Sequence, residues 1–438
     1  MLEGIGIGWL ATMTDFFTYL QIQGTRDPSA KGKTFKCLPP LLLALLSLCL
    51  SGQVAAAELP GGVRLGGHLK SLNVHVQAAP GGSFPDTDFS SNRLRLDLTG
   101  SAGETLDWEL SAENLLLYTD PKGSIPLPGQ SANRAVELEQ SWNEGEDFAN
   151  RLEVDRLNLR TTLLGVDWTV GRQAIGFGGI LMFSPLDIIA PFPPDALDTD
   201  VRPGVDALRG VRYFGRGGQI GAVAVLGDGR DNHSYLATFS HNWKEVDVQG
   251  LGGLLRKRPT VGLGLAGSLG GLGIKAEATA YQGKNTDKAG GDLHDTFTIA
   301  ALETWYRFES DIVLLAEYLY NGAGAEEPGD YPRAAVSAPF REGLSFLLGR
   351  HYLLLAPSYE AHPLATLSGL LIWNLDDGSF MLRPLVDLSL SDNLVLQAFW
   401  NYNGGRDPRP LPSPLPPLPR SEFGSAGSSG GLLIKYFF

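Results

Sequence analysis

Cysteine is the scarcest functional residue: Cys37 and Cys49 are the only two in 438 residues. Both fall in a leader-like segment, so the chain beyond residue 57 holds no thiol. A disulfide, an iron–sulfur cluster, Cys-ligated zinc and covalent haem are thereby excluded there, and no cofactor is expected. With no C-x-x-C-H, any electron path must come from a partner. Basic residues are also short, 35 Lys and Arg against 48 Asp and Glu, for a formal net charge of -13. A phosphate backbone needs clustered Lys and Arg, so nucleic acid is not an expected partner. After Ala57 there is no apolar run of about 20 residues, the length a membrane-spanning helix needs.

What is present begins with a secretory pattern. Lys31, Lys33 and Lys36 precede the apolar run Leu38–Leu50, followed by Ala55, Ala56 and Ala57. A basic region, a short apolar core and an Ala-x-Ala site make a signal peptide. We expect residues 1–57 to be an N-terminal extension plus cleaved signal, and 58–438 to be one domain.

That domain alternates. In Asn92–Thr99, Leu94, Leu96 and Leu98 share one face and Arg93, Arg95 and Asp97 the other. Strands alternate with period two, so one side can meet lipid and the other water. About eighteen such segments follow one another, the number found in large pore-forming barrels. They begin near Val63, Phe89, Thr105, Arg151, Val166, Val205, Gln219, Ser234, Glu245, Thr260, Gly273, Thr296, Ile312, Arg350, Leu364, Ser379, Asn393 and Gly430. Short connections such as 101–104 and 308–311 alternate with long ones at 119–149, 174–204, 283–294, 322–349 and 404–428. The expected fold is all-β: a single antiparallel transmembrane β-barrel of about 16–18 strands, with short periplasmic turns and long outer loops. The last strand, GGLLIKYFF, puts Tyr436 and Phe438 on one face, and its terminal Phe reads as an assembly signal for the barrel-inserting machinery. Aromatics near strand ends (Trp108, Trp243, Trp305, Tyr306, Tyr318, Tyr320, Trp373, Trp400, Tyr402) fit interfacial girdles. The Pro-rich 408–419 should run as stiff polyproline outside any ladder.

The connection 174–204 is the element the chain is organised around. It is long, yet too apolar to be solvated, with Ile180, Leu181, Met182, Phe183, Ile188, Ile189 and Phe192 needing something to pack on. We expect it to fold into or over the lumen. It carries Asp187, Asp195, Asp198 and Asp200, flanked by Arg172, Arg202, Asp206 and Arg209. Two readings stand: these charges line a constriction, where a narrow path amplifies their field, or they pair and anchor the loop to the wall. Arg172 shares strand parity with Trp168 and Val170, which a β-bulge at Gly171 would resolve.

GRQAIGFG (171–178), FSPLDIIAPFPPDALD (183–198) and RPGVDALR (202–209) within this pattern resemble porin-like outer-membrane proteins of proteobacteria. They are similar to alginate-export-like barrels and to the barrel component of porin–cytochrome conduits. The resemblance implies the bacterial outer membrane and a channel, and leaves the cargo open.

Other signals are weaker. Gly262-Leu-Gly264-Leu-Ala-Gly267 matches a dinucleotide fingerprint, but a strand follows it rather than a helix, so the glycines relieve crowding where strands curve. His233 and Ser234 are strand neighbours and face opposite ways, as do His68 and His75, so neither pair makes a site, and no enzymatic activity is expected. Arg256-Lys257-Arg258 offers a basic turn to lipopolysaccharide phosphates or is simply solvated. Segment 322–349 is a second lid, a docking surface or a plain exposed loop. The leading function is a porin-like channel passing a polar solute or exported polymer, gated by 174–204. The alternatives are a sleeve around a multihaem cytochrome and a non-transporting adhesion barrel. Expected partners are outer-membrane lipid, lipopolysaccharide and the assembly machinery, with multihaem cytochromes under the sleeve reading. The oligomeric state is left open.

Overall fold

The computed structural model describes residues 57–438 apart from 82–84, 126, 128–130, 144–146 and 413–416. The expected leader and signal, residues 1–56, lie outside the described residues.

Alternation becomes a wall. On the strand Arg258–Leu269, Val261, Leu263 and Leu265 are exposed while Thr260 and Gly262 are buried. The same two-faced pattern runs through Thr87–Ala102, where Leu94 and Leu96 are exposed and Arg95 is buried. Eighteen such strands form one closed antiparallel barrel. The seam is closed by pairing Val63–Val76 with Ser429–Phe437, in register Leu69 to Tyr436. Phe438 then exchanges both backbone hydrogen bonds with Gly67, at 2.8 and 3.0 Å. Two short strands are added to the wall. Ala57–Leu59 pairs with Val63–Leu65, and Glu139–Trp142 lies along Phe148–Leu163. In a closed barrel the exposed apolar face is the outer one, and the outer belt of Leu, Val and aromatic side chains suits lipid.

Every wall strand begins within three residues of the positions read from alternation; Val63, Val166, Val205, Ser234, Thr296 and Ile312 coincide. At one end the strands join by tight turns, such as 164–165, 244–245 and 270–271. At the other stand all the long connections.

Four sequence expectations need correction. Arg256 and Arg258 are not a solvated turn: their exposures are 1% and 0%. Only Lys257 faces out, paired with Asp231. Trp305 is not in the outer girdle, because it shares parity with Glu303 on the buried face. No bulge occurs at Gly171; the ladders on both sides of Val166–Gln173 are regular through Arg172. The bulge sits one strand earlier, where the register skips Asp155 and turns both Asp155 and Arg156 into the buried side. Arg409 and Leu418 of the Pro-rich loop do pair, at 2.8 and 2.9 Å, since each keeps the N–H its proline neighbours lack.

The wall makes a prediction. Leu263→Arg places a guanidinium on the outer face and should cost about 2–4 kcal/mol of stability in a bilayer. Denaturant titration of the barrel refolded into vesicles measures it. A cost under about 0.5 kcal/mol, typical of a water-facing position, would contradict a lipid-facing belt.

Candidate functional site

Segment 174–204 leaves the strand Val166–Gln173 and runs 31 residues before Val205–Phe214 without helix or strand. Its irregular backbone pairs few of its N–H groups within itself (Asp187 N with Ser184 O, Ile188 N with Leu186 O, Ala196 N with Pro193 O), and buried N–H groups left without partners are costly. The wall supplies them. Glu277 accepts from the amides of Gly179, Ile180 and Leu186 and from the Ser184 hydroxyl, at 2.5–3.3 Å. Glu303 accepts from Leu181 N at 2.7 Å, and Glu317 from Phe183 N at 3.2 Å. In return Lys275 donates to Gly179 O at 2.6 Å and Thr279 to Pro185 O at 2.7 Å. The four charged groups lie on consecutive strands, with Lys275, Glu303 and Glu317 in direct register.

Packing fixes the same stretch. Ile175, Phe183, Leu186, Ile188 and Ile189 share one core with Val205, Leu236, Leu251, Tyr281 and Ile299 of the wall. Leu186 sits over Gly262 and Gly264. A Cβ at either glycine would stand 2.5 or 2.7 Å from the Leu186 methyls. The GLGLAG motif is therefore a socket for this segment rather than a relief of strand curvature.

The second half of the segment reaches the other side of the ring. Lys70 donates to Asp198 at 2.7 and 2.9 Å and to Asp200 at 2.9 Å; Lys435 stands 3.3 and 3.1 Å from the same two carboxylates. Burial works to raise Asp198, but the ammonium groups of Lys435 and Lys70 outweigh it and hold its carboxyl far below the usual range. Arg383 donates to Asp195 O at 2.8 Å. Arg202 pairs with Asp187, donates to Ala190 O and lies over the Phe192 ring. Asp187 is pushed up to about 6 by burial, against the pull of Arg202.

The exit is clamped at the bulge. Asp155 accepts from Gly204 N at 2.7 Å, from Arg95 at 2.7 Å and from Arg134 at 3.0 Å, and pairs with Arg156. Arg172 and Asp206 are bound to each other at 2.7 and 3.1 Å. Both are buried under the segment 135–136: Asp206 accepts from Ala135 and Val136, and Arg172 donates to Val136 O. The eight expected residues thus fall into four groups. Asp187 joins Arg202; Asp195, Asp198 and Asp200 join wall cations; Arg172 joins Asp206. Arg209 stands apart from all of them and lines a cavity with Glu109, Arg160 and Asp167.

Above this, 322–349 is not a plain exposed loop. Its short helices Tyr331–Ala335 and Ala338–Arg341 carry buried side chains, and Phe346 meets Phe183 edge-on at 6.0 Å. Arg256 bonds Glu342 O at 2.8 Å, Asn133 at 3.3 Å and Ile189 O at 3.4 Å, tying three outer connections together. Glu422 of the last loop accepts from Leu348 N at 2.9 Å and Asn374 at 2.6 Å, and burial pushes it up to about 7. His233 and Ser234 are occupied separately, by Gly227 N and Arg256 N.

Sequence reasoning missed Glu277, Glu303, Glu317, Lys70, Lys435 and Asp155. A signal existed for the first three: KAEATAY, ALETWYR and LLAEYLY each carry a lone Glu in mid-strand.

No protein-family model matches the chain, and no curated protein is significantly similar. The fold is shared with solved outer-membrane channels. OccAB4 of Acinetobacter baumannii aligns with a TM-score of 0.54 at 7% identity, over 88% of this chain and 100% of that one. A BenF-like porin from Pseudomonas fluorescens Pf-5 aligns with a TM-score of 0.52 at 10% identity, over 87% and 100%. Pseudomonas aeruginosa OccK2 aligns with a TM-score of 0.51 at 10% identity, over 86% and 97%. The chain has the porin fold, and its apolar outer face suits a lipid bilayer.

Glu277→Ala strips four donors of their acceptor and should free the segment. Limited chymotrypsin digestion of the folded barrel should then cut near Phe177–Phe183 in the variant and not in the wild type. Equal resistance of both would contradict the clamp.

Proposed function

We propose that 174–204 is a strap across the lumen and that the barrel is a channel for polar solutes, narrowed and gated by it. One observation carries this reading: the strap is bound to Glu277, Glu303 and Glu317 on one side of the ring and to Lys70, Lys435 and Arg383 on the other. A segment joining opposite walls of a closed barrel crosses its bore, and bonds to the mid-strand residues Glu277, Glu303 and Lys70 favour a path inside it over one across the mouth. It brings its own charges of both signs with it: Arg202 and Asp200 keep part of their side chains exposed, beside the buried Asp187, the mostly buried Asp198 and two buried lysines. Mixed signs at a constriction set a transverse field, which favours polar over apolar solutes. Paired charges and an anchored strap are one arrangement here, not two.

A sleeve around a multihaem cytochrome requires an open bore, and a strap crossing the bore disfavours it. An adhesion barrel needs no built constriction. The partners this function implies are membrane lipid, lipopolysaccharide and the machinery that inserts barrels, reading the strand that ends at Tyr436 and Phe438.

Planar-bilayer recording tests the channel. Deleting 176–200 should raise single-channel conductance severalfold. No conductance before or after deletion would overturn the reading. A second recording tests the strap charges. Asp187 is held at about 6, so between pH 8 and pH 5 it changes from carboxylate to neutral acid, leaving the charge of Arg202 unopposed. Reversal potentials in a KCl gradient should move toward anion preference over that range in the wild type and move much less in Asp187→Asn. An equal shift in both would remove Asp187 from the pore.

A further inference from the structure

Beneath the strap, toward the end with tight turns, the wall holds a cavity of about 440 Å³. Its charged lining is Glu109, Arg156, Arg160, Asp167 and Arg209, with Tyr213 at its edge. Most of these charges are already used. Arg160 pairs with Glu109, which also accepts from Asn158 at 3.1 Å. Arg156 pairs with Asp155 and donates to Arg202 O. Asp167 accepts from the Thr162 hydroxyl at 2.6 Å. Arg209 differs: among the described residues it has no ion pair and no side-chain hydrogen bond. Asp167 is its diagonal neighbour across the ladder, since Thr169 pairs with Arg209 and Asp167 with Val211. Long side chains can meet across such a diagonal, yet these two do not. The cavity keeps a guanidinium and a carboxylate apart.

We propose that this cavity is a binding subsite for a small, singly charged organic anion bearing hydroxyl groups, with Arg209 holding the anionic group. The inference rests on the channel reading for the route by which the solute arrives. A guanidinium is weakly hydrated and presents a fork of donors, which suits an anionic oxygen pair. One unused cation matches one negative charge, and the carboxylates of Glu109 and Asp167 on the same walls repel a second. Thr169 offers an acceptor to a hydroxyl hydrogen. The volume lies in the range of small-molecule sites and suits a solute of about sugar size.

The probe is gluconate, with glucose as its uncharged counterpart and sulfate as a doubly charged one. The detergent-folded full barrel is titrated calorimetrically, with folding checked by heat-modifiable migration. Gluconate should bind, glucose and sulfate at least tenfold more weakly. Arg209→Gln should weaken gluconate at least tenfold, and Arg209→Lys should restore part of the loss. Asp167→Asn should instead tighten gluconate, which decides the matter if the glutamine variant does not fold. Gluconate affinity unchanged in Arg209→Gln, or weakened in Asp167→Asn, would overturn the subsite. The titration does not need current. A barrel that binds gluconate without conducting would overturn the channel alone, and one that conducts without binding would overturn the subsite alone.

Discussion

The structure depends on where the backbone N–H groups of an irregular segment find acceptors. A strand in the wall satisfies its amides from its neighbours, and a solvated loop from water. The stretch 179–186 has neither, since its apolar side chains drive it into the core. Three wall glutamates take the place of a neighbouring strand. A carboxylate accepts several hydrogen bonds at once, and a charged acceptor makes each stronger than a neutral one would. Glu303 and Glu317 are fully buried and in direct register, an arrangement that is unfavourable for like charges on its own. Strap amides meet both carboxyl groups, and Lys275 pairs with Glu303. Wall and strap thus each require the other.

The same requirement organises the charge around the strap. Where the strap offers donors, the wall is acidic; where the strap offers Asp195, Asp198 and Asp200, the wall is basic. The bulge at Asp155 extends this to the strap's exit, gathering three arginines and the Gly204 amide around one carboxylate. Arg209 is left out of the scheme and lines the cavity beside Glu109 and Asp167. Above, Arg256 and Glu422 knit the outer connections to one another, so the strap is covered as well as held.

Much of the fold could be read from residue alternation because the outer face of a membrane barrel obeys a simple rule. Leu94, Leu96, Val261 and Leu263 have to meet lipid whatever lies behind them. The strap also announced itself, as an apolar stretch too long for a turn. Its attachments did not. Glu277 is 98 residues from Gly179, and Glu317 is 134 from Phe183. No local pattern links a lone glutamate in a strand to an amide so distant. Arg256 and Arg258 misled for the same reason: a basic two-residue turn looks solvated until Glu342 and Asp292 arrive from other loops. Arg172 carried the wrong explanation because what buries it is the segment 135–136, not a change of strand phase.

Hydrogen–deuterium exchange of the folded barrel bears most directly on the central claim. The amides of Gly179, Ile180, Leu181, Phe183 and Leu186 should exchange about as slowly as ladder amides in the wall strands, because each is bonded to a buried carboxylate. Exchange of those amides at the rate of exposed outer loops would show that the glutamates do not hold the strap, and the account built on them would fail.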